Sequence, residues 1–279
     1  MENYVITQEL LEAFREHLRL EERSTLTVEK YFRDIGAFLA FLGEREVSKQ
    51  AVLEYKAVLV ERGYAVRSVN SMLASIHSLF TFLGWQSCKV KCLKAQRQIY
   101  RPEEKELTKG EYLRLLRAAA HRPKLHLVLE TICATGIRVS ELKYFTLSAV
   151  RRGEICVACK NKIRTILLPA KLRQLLLRYA REQKIHSGAI FVTRNGKPLD
   201  RSNIWAQMKS LCAQAGVPRS KVFPHNLRKL FARTFYAMER DIAKLADILG
   251  HTNVNTTRIY IISTGTEHRR KIERLGLLV

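Results

Sequence analysis

Apolar residues recur along the first ninety positions at the spacing of helix faces. Leu10, Phe14 and Leu18 fall four apart, and Tyr31, Ile35, Phe38 and Leu42 follow with a three-to-four step. Val52, Tyr55 and Leu59 make a third stripe; Val69, Met72, Leu73, Ile76, Phe80 and Leu83 make a fourth. Residues three and four apart share one face of an α-helix, so the pattern predicts four amphipathic helices on a common core. The periodicity lapses in KAQRQIYRPEEKE, Lys94 to Glu106, which contains Pro102. This predicts a linker at 98–107 between a domain over 1–97 and a second over 108–279.

Thr108-Lys-Gly-Glu111 reads as a capping box opening the second domain. Leu125–Ala134 reads as a buried helix that delivers Thr135-Gly136-Ile137-Arg138 at its end, with Ser140-Glu141-Leu142 starting the next. Glu141 is placed either to brace Arg138 or simply to face solvent. Glu154–Ala158 and Ile163–Leu168 are short β-type runs around Lys160-Asn161-Lys162 and predict a hairpin. Lys171–Gln183 and Arg201–Ala215 read as helices, the latter with Ile204, Met208 and Leu211 on one side. From Pro224 a helix puts His225 and Arg228 on one face of its first turn, with Leu227, Leu230, Phe231 and Phe235 for burial. Asp241 starts a second segment that Gly250 stops, leaving His251 just past the end; Asn253 opens a third, which carries Tyr260. The fold class expected is mainly α with a small β hairpin.

Charge sharpens this picture. The chain of 279 residues has a formal net charge of +23. Residues 1–61 carry −4, residues 62–101 carry +7 with no acidic side chain, and the remainder carries +20. Such a surplus implies a polyanionic partner, with nucleic acid first. Arg67, Lys89, Lys91, Lys94 and Arg97 are the candidate contacts in the acid-free stretch. MENYVITQELLE is acidic and lacks a signal peptide's apolar core, and no apolar run approaches membrane-spanning length, so a cytoplasmic, DNA-associated protein is expected. Cys156-Val-Ala-Cys159 has no second ligand pair to complete a metal site and is read as buried structural cysteines.

TGIRVSEL, HNLR and LGHTNVNTTRIY stand in that order and carry Arg138, His225, Arg228, His251 and Tyr260. The set resembles the tyrosine recombinase (integrase) family, whose signatures are a TGxRxxEL box, an HxLR box and an LGHxxxxTTxxY box. The resemblance spans roughly the C-terminal two-thirds of the chain. It implies an N-terminal four-helix core-binding domain that closes over DNA opposite an α-rich catalytic domain, in a simple Xer- or Cre-like layout. The chain starts almost directly on the helical domain, which leaves no room for the arm-binding domain of lambda-like integrases. In the family, a lysine of the hairpin protonates the leaving 5′-oxygen. Many members read Gly-Lys-Gly-Asn-Lys-x-Arg there, where this chain has Ala158-Cys159-Lys160-Asn161-Lys162-Ile163-Arg164. A hairpin one residue shorter makes Lys160 the catalytic lysine, with Lys162 the alternative; Lys162 and Arg164 are otherwise DNA contacts. Lys229 stands after Arg228 where many relatives have His, so the resemblance does not carry over the further hydrogen bond of that His, which the chemistry does not need.

The residue types fit the chemistry. Guanidinium forks match the oxygens of a phosphodiester and hold charge as it builds on phosphorus. A free phenol has a pKa of about 10 and needs a base or a cationic setting to attack at neutral pH. The resemblance makes Tyr260 the nucleophile, His225 a general acid/base and His251 a hydrogen-bond donor to the phosphate. Attack leaves a 3′-phosphotyrosine and a free 5′-hydroxyl. The link retains the energy of the broken diester, so rejoining needs no metal, nucleotide or other cofactor.

Integration, excision, inversion and resolution all share this chemistry. A type IB topoisomerase-like enzyme and a non-catalytic DNA-binding regulator remain alternatives, while a metal-dependent nuclease lacks a carboxylate cluster. The tail, about 263–279, places Ile272, Leu275, Leu277, Leu278 and Val279 behind His268-Arg269-Arg270-Lys271. In the family such a segment docks on the neighbouring protomer of a DNA-bound tetramer; the other reading is packing on its own domain.

Overall fold

The computed structural model describes residues 4–94, 105–158, 163–193, 195–262, 269, 270 and 272–275, and the backbone alone at 159 and 162. It divides into two compact units, Met1–Arg97 and Gln98–Val279.

The first unit holds the four expected helices: α1 Gln8–Leu20, α2 Thr25–Leu42, α3 Lys49–Glu61 and α4 Val66–Phe82. Hydroxyls of Thr7, Ser24 and Ser48 accept from the first-turn N–H groups of Leu10, Thr27 and Ala51, satisfying donors that a helix start leaves open. Each stripe turns inward. Phe38, Val52, Leu73, Ile76 and Phe80 fill one cluster, and Phe14, Leu18, Ile35 and Leu79 fill a second. Between α2 and α4, buried Asp34 accepts from Ser75 Oγ at 2.8 Å and pairs with Lys30, so its charge is not left bare.

The second unit is built on α6, Pro123–Thr135, whose Leu125, Leu127, Val128, Leu129 and Ile132 are all buried. It is preceded by α5, Lys109–Ala118, which the predicted capping box opens. Thr108 Oγ1 accepts from the Glu111 N–H at 3.1 Å, and Glu111 accepts in return from the Thr108 N–H at 2.8 Å. After α6 the next helix starts where expected, at Val139–Tyr144, as a short 3-10 helix. Glu141 is drawn back onto the Arg138 N–H at 2.7 Å, and the turn closes on that contact.

Then come α7, Leu147–Arg152, and the hairpin of β1, Glu154–Cys159, with β2, Lys162–Leu167. The strands pair antiparallel, with Glu154 opposite Leu167, Val157 opposite Arg164 and Cys159 opposite Lys162. Alternation sends Ile155, Val157 and Ile166 inward and leaves Ile163 and Leu167 largely exposed. It also leaves Cys156 a free, exposed thiol, not the buried structural cysteine expected, because its neighbours take the inner face. The described part of the fold continues with α8 Ala170–Glu182, α9 Arg201–Ser210, α10 Cys212–Ala215, α11 Pro224–Glu239, α12 Ile242–Leu249 and α13 Val254–Ile261. The single helix expected over Arg201–Ala215 is broken at Leu211, whose N–H reaches back to Met208 O.

Candidate active site

Four local devices converge on the end of α6. Gly136 ends that helix at φ +64°, in the left-handed region. A Cβ built on it would lie 2.3 Å from the Phe231 ring, so glycine is required twice over. Pro224 pre-sets the first turn of α11, and Asn226 Nδ2 anchors that turn on the carbonyls of Lys105 (2.9 Å) and Lys221 (2.8 Å). Asp241 caps α12 by accepting from the N–H groups of Ala243 and Lys244. Asn253 caps α13 by accepting from the Asn255 N–H.

Arg228, one turn into α11, is 1% exposed. Its Nη1 donates to Gly136 O at 2.6 Å and its Nη2 to Leu249 O at 2.7 Å, so the guanidinium closes the C-terminal ends of both α6 and α12. Nη2 also meets His251 Nε2 at 2.9 Å. Of five N–H donors, three are engaged, and buried Nε has no partner among the described residues. Burial, and then Arg138 alongside, pull the guanidinium down to about 10, which leaves it cationic at neutral pH.

His251 lies just past Gly250. An arginine N–H has only protons to give, so His251 Nε2 accepts, and from these partners the ring proton is assigned to Nδ1, 2.8 Å from buried Thr257 Oγ1. Burial and the cations Arg228, Arg138 and Arg164 push the imidazole down to about 4, so it is neutral at pH 7. In this state Nε2 orients Arg228; the donor role expected from the sequence requires a change of tautomer or a proton.

Tyr260 is 6% exposed, packed with Ala232, Leu245 and Leu249. Its ring stacks on His251, with centroids 5.2 Å apart at 28°, and meets exposed His225 at 5.2 Å and 58°. Arg138, with its side chain 39% exposed, is held at 3.1 Å by Glu141, itself 3% exposed. The bracing reading of Glu141 therefore holds, and the solvated one does not. Five predicted residues, Arg138, His225, Arg228, His251 and Tyr260, thus gather around the ends of α6 and α12. Thr257 was not among the expected residues, although its place six residues after His251 in the same box was a signal.

The candidate DNA contacts divide. Arg67, Lys91 and Lys94 are exposed in the first unit, whereas Lys89 is half-buried and donates to Thr81 Oγ1 at 2.7 Å. Arg97 and Lys160 lie outside the described residues, as does the side chain of Lys162. Arg164 departs from expectation. It points inward, 14% exposed, onto Glu141 at 2.5 Å and onto Ile248 O. A strand puts Arg164 and Ile166 on one face, so burial of Ile166 carries Arg164 in with it. Among the described residues no group of three His, Cys, Asp or Glu is placed to hold a metal ion, and no helix is long and apolar enough to cross a membrane.

Comparison with known proteins matches residues 105–267 to the Phage integrase family and residues 11–87 to the phage integrase N-terminal SAM-like domain. Tyrosine recombinase XerA of Pyrococcus furiosus is 29% identical over 290 residues, covering 100% of this chain and 98% of the relative. XerA of Thermococcus kodakarensis is 30% identical over 281 residues, covering 97% and 96%. In fold, the chain is similar to a lambda integrase dimer bound to a COC' core site, with a TM-score of 0.74 at 18% identity over 93% of this chain and 78% of that one. The crystal structure of XerA recombinase matches with a TM-score of 0.55 at 24% identity over 98% and 100%. With the catalytic-domain match extending over more than half its length, the chain belongs to the Phage integrase family, that of the tyrosine recombinases.

Proposed function

We infer that this tyrosine recombinase cuts and rejoins specific DNA sites by transferring a strand to Tyr260 and back. Tyr260 Oη attacks the scissile phosphorus in line with the departing 5′-oxygen. The P–O5′ bond breaks as the Tyr260–phosphorus bond forms, leaving a 3′-phosphotyrosine and a 5′-hydroxyl. His225 takes the phenolic proton, and Lys160, or failing it Lys162, gives one to the 5′-oxygen. Arg138 and the remaining donors of Arg228 hold the non-bridging oxygens. His251 orients Arg228. The observation that carries this reading is the contact of the Tyr260 ring with both imidazoles, one of them bonded to Arg228.

The partner is double-stranded DNA carrying recombination sites. The exposed cations Arg67, Lys91 and Lys94 engage its backbone. Ile272 and Leu275, 53% and 62% exposed, support a tail that docks on a neighbouring protomer in a DNA-bound tetramer. Incubation with a nicked suicide duplex carrying its site, followed by peptide mapping, is expected to place the adduct on Tyr260. Tyr260→Phe is expected to bind the duplex with unchanged affinity and form none. An adduct on another side chain, or turnover by Tyr260→Phe, overturns the assignment. Exchange between two sites, as opposed to relaxation of any plasmid, separates recombination from topoisomerase action.

A further inference from the structure

Glu141 holds Arg138 by two contacts, its backbone N–H and its guanidinium. A carboxylate that close, on its own, would neutralise the cation it positions and leave little charge for a phosphate. The buried carboxylate is shared instead. Its second oxygen also carries Arg164, reached across the sheet from β2, and the same guanidinium donates to Ile248 O near the end of α12. A built Cβ on Gly250 would lie 2.6 Å from Arg164 Cδ, so the glycine before His251 leaves the lane through which the arginine passes. One side chain therefore ties the hairpin to the segments that carry Arg138 and His251.

We propose that Arg164 is a positioning residue for strand cleavage. It offsets the charge of Glu141, so that this carboxylate fixes Arg138 in place without cancelling its attraction for the scissile phosphate. It does not contact DNA. The inference rests on the assignment of Arg138 to the phosphate.

The test is single-turnover cleavage of the nicked suicide duplex, read beside duplex affinity and thermal midpoint. Arg164→Gln is expected to slow adduct formation on the order of 100-fold, the scale of a misplaced catalytic group, with affinity little changed; the midpoint falls because buried Glu141 loses a partner, so the rate is read well below it. Arg164→Lys keeps the charge and is expected to retain more of the rate than Arg164→Gln. The double variant Arg164→Gln/Glu141→Gln removes both charges and keeps an oxygen to accept from the Arg138 N–H, so it is expected to recover on the order of tenfold over Arg164→Gln. The proposal is overturned if Arg164→Gln weakens DNA binding in step with cleavage, as a DNA contact would. It is also overturned if the double variant is no faster than the single, as a merely structural role would give. Absence of any adduct in the wild-type chain instead overturns the reading on which it rests.

Discussion

His251 is set between a donor and an acceptor, and its titration follows from them. Arg228 on one side and Thr257 on the other suit the neutral ring, and the surrounding guanidinium groups oppose protonation. Its folded value of about 4 lies below the ordinary value of 6.5, so between these the unfolded chain binds more protons. Its contribution to stability is therefore fully present above pH 6.5, falls as pH drops below that, and is gone by about 4. Thermal midpoints of the wild type and His251→Gln, followed from pH 7 to 4.5, are expected to converge as pH falls; a constant gap excludes this linkage. At this scale the sequence was informative where residues sit in motif boxes. Arg138, His225, Arg228, His251 and Tyr260 are found together, but the partner of Arg164 lies 23 positions away, and no local spacing encodes such a pair.

Among elements, α12 is open to a small perturbation. Eight residues are too few to hold a helix alone, so it depends on burial of Leu245 and Leu249 and on its cap. Asp241→Ala removes the acceptor for two N–H groups and is expected to cost about 1 kcal/mol in urea unfolding. Because Arg228 is bonded to the carbonyl of Leu249 at the far end, adduct formation is expected to fall as well, with DNA affinity retained. An unchanged midpoint would show that packing alone holds the helix. The long helices were legible because apolar stripes have a period and capping residues have a chemistry. The 3-10 turn at Val139–Tyr144 was not, because the sequence pattern of Ser140-Glu141-Leu142 suits either helix type and the choice is made by Glu141 folding back on Arg138. The break at Leu211 was hidden for a similar reason: Ile204, Met208 and Leu211 keep a helical spacing across it.

Across the whole molecule, the change from acidic to basic composition was visible in the sequence, since charge needs no folding to be counted. The hairpin's outer face was not, because two strands alone cannot say which side a third element covers. One feature of the second unit reaches beyond a single chain. The ring of Tyr260 rests on His251 and beside His225 of its own polypeptide, with Arg228 one hydrogen bond away. With Tyr260 as the proposed nucleophile, a subunit so arranged is expected to lend none and borrow none. Blending a Tyr260→Phe preparation with an Arg138→Gln preparation should then yield no complementation on a suicide duplex, whereas revived cleavage would reveal that subunits trade their tyrosines.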